Sequence, residues 1–110
     1  MRSRNFGRRG RSLARDVKRG EAPFTRAKFT PDASIDLHGL HPDDAMRRLR
    51  QAVEGGVYRG EALAVIHGKG RGILRERTRR YGDGASEVKR VWNGEDVPLP
   101  EGDGVTIFFL

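Results

Sequence analysis

The chain of 110 residues suffices for one small domain. It has no cysteine, which excludes disulfides and thiolate metal sites. Its apolar runs fall far short of a membrane span, and no apolar signal core opens it, so a cytoplasmic protein without a membrane partner is expected. The formal net charge of +7 is uneven: residues 1–30 hold ten Lys and Arg against two Asp and Glu, whereas residues 31–110 hold twelve against thirteen.

Residues 1–30 read as a basic, Arg/Gly-rich flexible arm, with too little apolar surface to offset its ordering entropy. Arg8, Arg9 and Arg11 lie in or beside an Arg/Gly segment of the kind that binds RNA. An arm of this charge suits a polyanion, nucleic acid being the commonest; a solvated tail without a partner is the plain alternative. Phe24 and Phe29 are candidates to tether it to the fold.

Residues 31–110 read as a compact α/β domain. Ser34 to His38 forms the first strand, ended by Gly39. His41 helps start a helix, Pro42 fits its first position, and Asp43 and Asp44 suit the positive helix end. Ala45, Met46, Leu49, Ala52 and Val53 form its apolar stripe. Asp43–Arg47 and Asp44–Arg48 are expected as i,i+4 pairs, and Gly55-Gly56 as the stop. Leu63 to Ile66 is almost continuously apolar, as a strand buried on both faces should be.

His67-Gly68-Lys69-Gly70-Arg71-Gly72 follows that strand and precedes a helix over Ile73 to Tyr81, with Gly82 as its stop. Glycines let the backbone approach a ligand, and free N–H groups at a helix start attract anions. Lys69 and Arg71 add charge, and four-residue spacing aligns Arg71, Arg75 and Arg79. Glu87 to Trp92 reads as the third strand, 93–103 as a loop, and Gly104 to Leu110 as the last strand. In that strand Val105, Ile107 and Phe109 mark one face, and Thr106, Phe108 and Leu110 the other.

The order β-α-β-α-β-β predicts a two-layer sandwich, with both helices on one face of a four-stranded mixed sheet. Phe108 or Trp92 should then lie on the helix-free face. Parallel strands gather ligands at their carboxyl ends, where His38 and His67 meet if the two strands are neighbours. Asp36 shares a strand face with His38. Each also has a structural reading: His38 bonded to a strand-end carbonyl, His67 capping its loop, Asp36 accepting turn N–H groups. Their convergence with a Lys, an Arg and a helix start favours a phosphate site that moves a proton.

Asp36-Leu37-His38-Gly39, together with His67-Gly68-Lys69-Gly70-Arg71-Gly72-Ile73-Leu74-Arg75, resembles the Smr (small MutS-related) domain. Asp44-Ala45 and Gly102-Asp103-Gly104-Val105-Thr106-Ile107 complete the family's order. Two details depart from it. Gly82 to Ala85 is glycine-rich where relatives usually continue a helix, and Gly-Asp-Gly replaces the commoner run of adjacent glycines. The resemblance implies a fold like the C-terminal domain of translation initiation factor three. It also implies nicking or endonuclease activity on DNA or RNA, with relatives acting in recombination or on mRNA at stalled ribosomes. Asp36, His38 and His67 are then the catalytic candidates. Gly68, Lys69, Gly70, Arg71, Gly72, Arg75 and Arg79 would hold phosphate. RNA cleavage through its 2′-hydroxyl needs no cofactor, whereas DNA cleavage admits a divalent metal. A non-catalytic nucleic-acid-binding or ribosome-binding module is the rival reading.

Overall fold

A computed structural model describes residues 29–97 and 102–110. The expectations for the arm, with Arg8, Arg9, Arg11 and Phe24, lie outside the described residues. The elements run β1 (Ala33–Asp36), α1 (Pro42–Glu54), β2 (Ala62–Ile66), α2 (Ile73–Gly84), β3 (Arg90–Asn93) and β4 (Val105–Phe109). Short 3₁₀ turns at Gly94–Asp96 and Gly102–Gly104 separate the last two strands. Among the described residues, no helix is long and apolar enough to cross a membrane.

The sheet order is β1-β2-β4-β3. β1 and β2 are parallel, with Asp36 opposite Ile66, and β4 runs antiparallel to both β2 and β3. Side-chain alternation along the central strands builds a core on each sheet face. Leu63, Val65 and Phe108 pack under the helices with Ile35, Leu37 and the α1 stripe. Ala62, Ala64, Val105 and Ile107 face the other way with Trp92 and Val97. Both helices therefore cover one face, as expected.

Trp92, not Phe108, lies on the helix-free face. Phe29 packs against it edge-to-face at 5.4 Å between ring centroids, so Phe29 does tether the start of the domain. The five buried residues of α1 are those of the expected stripe. His41 is its N-cap, its Nδ1 accepting the Asp43 N–H at 3.2 Å. The expected i,i+4 pairs are replaced: Arg47 bonds Asp44 at 2.7 Å, three residues back, and Asp43 faces Arg77 of α2 at 3.5 Å.

Two boundaries differ from the sequence reading. β3 begins at Arg90 because the chain first turns, the Val88 N–H bonding the Ala85 carbonyl at 3.1 Å. Helix α2 runs past Gly82 to Gly84. Gly82 is buried where helix and sheet approach closely: a Cβ there would lie 2.6 and 2.7 Å from two Phe108 ring carbons and 3.2 Å from Val91 Cγ2. It is a packing glycine inside the helix, not a stop.

Gly82→Ala should consequently destabilise the domain. Overpacking costs about 1–3 kcal/mol, against about 1 kcal/mol gained from helix propensity. Urea denaturation should show a lowered midpoint with an unchanged slope.

Candidate functional site: an Asp–His pair beside a glycine loop

Parallel pairing sets the first two strand ends side by side. The Leu37 N–H bonds the Ile66 carbonyl at 2.7 Å, carrying the register past the end of β1. His38 therefore lies two residues beyond the strand and next to Gly68. A Cβ on Gly68 would stand 3.2 Å from that of His38, and its φ of +80° also favours glycine. Gly39, His67 and the loop Gly68–Gly72 border one crevice, with Gly72 as the left-handed N-cap of α2.

The two histidines have opposite environments. Ile35 and Leu37 pack under the helices, so Asp36 between them points away. Asp36 Oδ1 accepts two bonds from His38, at 3.0 Å from its backbone N–H and at 2.6 Å from Nδ1–H. Those bonds hold the Asp36 carboxyl below its ordinary pKa. They also fix the imidazole with its Nδ1 engaged, on a side chain 66% exposed.

His67 is 4% exposed, and its imidazole turns inward. Its Nδ1–H donates to the Gly68 carbonyl at 2.9 Å, and Nε2 lies 2.9 Å from Thr106 Oγ1 on β4. Thr106 Oγ1 also accepts from Arg79 Nε–H at 2.9 Å. A carbonyl only accepts and a guanidinium only donates, so with a neutral ring the Thr106 hydroxyl proton goes to His67 Nε2. Both nitrogens are occupied. Burial pushes its pKa down, Arg79 and Arg75 push the same way, and the bond to Gly68 opposes them. The strand ends meet as expected, but the imidazoles differ from the expected matched pair: both ring nitrogens of His67 are engaged, and His38 is the exposed one.

The cations are sorted similarly. Arg79 is held by Glu95 through two nitrogens, at 2.8 and 3.3 Å, and by Thr106 through the third. Its guanidinium braces the α2–β4 contact, and the residue also lines the groove along α2. Arg75 and Lys69 converge on Asp103 at 3.2 and 3.7 Å. Arg71 lines the groove that runs along α2 with Arg75 and Arg80. Asp103, Thr106 and Glu95 were not singled out in the sequence. The only signal was the departure to Gly-Asp-Gly, because their partners are remote in the chain. The Gly104 carbonyl places this turn, accepting the His67 and Gly68 N–H groups at 3.0 and 2.9 Å. Among the described residues, no three His, Cys, Asp or Glu side chains gather as a metal-ligand set; Asp36 and His38 supply two donors.

These features define a two-layer α/β domain with a glycine loop at a helix start and an exposed Asp–His pair at its parallel strand ends. The chain belongs to the Smr domain family, which matches residues 35–110. It is 33% identical over 71 residues to Endonuclease MutS2 of Shouchella clausii (strain KSM-K16). That match covers 64% of this chain and 9% of the relative's length. The crystal structure of the Smr domain of Thermus thermophilus MutS2 is similar with a TM-score of 0.61 and 31% identity, over 71% of this chain and 96% of that one.

Two outcomes follow from this geometry. His67 has a folded pKa below its ordinary value of 6.5. The unfolded chain therefore binds the proton more readily, and stability present above that value declines as pH falls through it. Denaturation midpoints between pH 7.5 and 5.5 should show this decline, and His67→Gln should flatten it. Asp103→Asn should release Lys69 and Arg75 and tighten binding of a phosphate polyanion by several-fold at low salt, measured by titration.

Proposed function

We propose that this domain binds and cleaves nucleic acid, as an endonuclease whose acid–base group is His38. The observation that carries this reading is the 2.6 Å Asp36–His38 bond on an exposed side chain beside the Gly68–Gly72 loop. The likeness to a protein named as an endonuclease supports it.

On RNA, His38 Nε2 takes the 2′-hydroxyl proton, O2′ attacks the adjacent phosphorus, and the bond to O5′ breaks. The imidazolium, stabilised by Asp36, then supplies the proton that the leaving oxygen needs. Lys69, Arg71 and the loop N–H groups stabilise the charge that builds on the phosphoryl oxygens. His67 holds the loop in place rather than moving a proton. On DNA, which lacks the 2′-hydroxyl, water must be activated, and Asp36 and His38 are the donors available to a divalent ion. The basic residues of the arm add sequence-independent attraction to a polyanion, ribosomal RNA included.

The retraction of His67 favours a second reading, because it leaves one exposed imidazole at the strand ends rather than two. In that reading the same loop and cations grip phosphate without cutting.

Labelled RNA and DNA, incubated with and without chelator, distinguish the two. His38→Ala should lower the scission rate by about a hundred- to ten-thousandfold while leaving binding nearly intact. Lys69→Ala should weaken both, since its charge meets the phosphate in ground and transition states alike. Tight binding by the native protein with scission no faster than background would replace the nuclease by the binding module.

A further inference from the structure

We propose that the crevice between the Gly39–Pro42 turn and the glycine loop is a slot for one unpaired nucleobase, making single-stranded nucleic acid the substrate; this rests on the nucleic-acid reading above. The crevice encloses about 270 Å³, just below the roughly 300–1,000 Å³ typical of drug-sized ligands. Pro42, Ile73, Leu74 and the bare backbones of Gly39, Gly68 and Gly70 line it, together with His67 and the cations Lys69, Arg71 and Arg75. Lys69, Arg71 and Arg75 suit a phosphate, whereas the apolar side chains suit a flat ring buried between them.

Ile73 gives the slot its character. It is the first residue of α2 and is 50% exposed, where a helix start favours Pro or an acidic residue. Among the described residues, three large hydrophobic side chains are exposed: Leu40, Val57 and Ile73. Ile73 lines this crevice.

Charge defines the rest of the occupant. The slot shares Arg71, Gly72 and Arg75 with the groove of about 500 Å³ along α2, which continues to Arg80. A base in the slot therefore places its strand's backbone along a groove where Arg71, Arg75, Arg79 and Arg80 outnumber Glu76 and Asp83. Its sugar-phosphate lies beside His38, which touches the slot through Gly39 in the chain and Gly68 in space. A base paired in a duplex stays in its stack and does not enter.

Fluorescence anisotropy tests this on the full chain with three ligands: a short single-stranded oligonucleotide, the same strand with abasic positions, and its duplex. The intact single strand should bind about tenfold more tightly than the abasic strand, the scale of stacking one base on protein. Ile73→Ser, at an exposed helix start, should remove most of that difference and leave the other two affinities within about twofold. Equal affinities for the single and abasic strands would overturn the slot, as would an equal loss on all three ligands with Ile73→Ser. Tight duplex binding in those cases would leave the nucleic-acid reading standing. Failure of the native chain to bind any of the three would overturn that reading and the slot with it.

Discussion

The site depends on a hydrogen-bond chain that runs from Arg79 through Thr106 and His67 to the Gly68 carbonyl. It joins α2, β4 and the glycine loop, three pieces that are separate in sequence. Each member of the relay is satisfied, and with a neutral His67 ring the order of donors permits one proton arrangement. A buried network of this kind is strong when complete and costly when broken, because an unpaired member would face a low dielectric. The Gly104 carbonyl adds two bonds to the start of the same loop. The glycine loop is thus flexible in composition but clamped in place.

Burial divides the chemistry between two histidines that look alike in sequence. His67 gives up both nitrogens to structure, whereas His38 engages Nδ1 with Asp36 on an exposed side chain. The division follows from the sheet. β2 is central and covered on both faces, so the residue that ends it meets β4 and α2. β1 is an edge strand, so the residue that follows it meets solvent. Electrostatics draws a similar line among the cations. Glu95 ties Arg79 to the scaffold, and Asp103 acts as an internal counter-anion for Lys69 and Arg75.

Local signals were legible in the sequence because their physics is local. The α1 stripe, the His41 cap, the apolar β2 and the two-faced β4 each follow from periodicity or from a residue's own bonding habits. What was misread depends on distant partners. Gly82 looked like a helix stop because glycine usually closes a helix, but the Phe108 ring, contributed by β4, requires it. His67 looked exposed because it borders a polar glycine loop, and its burial comes from Thr106 and Arg79. Asp103 stood out only as a departure from a glycine pattern. Nothing nearby in the chain showed that it would meet Lys69.

The strand order also bears on how the molecule assembles. β4 lies between β2 and β3, so neither acquires its antiparallel partner until the last of the four strands is available. Only the β1-α1-β2 unit can form from sequence-local contacts; the rest must wait for a long-range closure that spans α2 and β3. Such non-local pairing slows folding and leaves apolar strand edges uncovered meanwhile. During synthesis, β2 would emerge with one open flank, and the domain would close around β4 as a final insertion step.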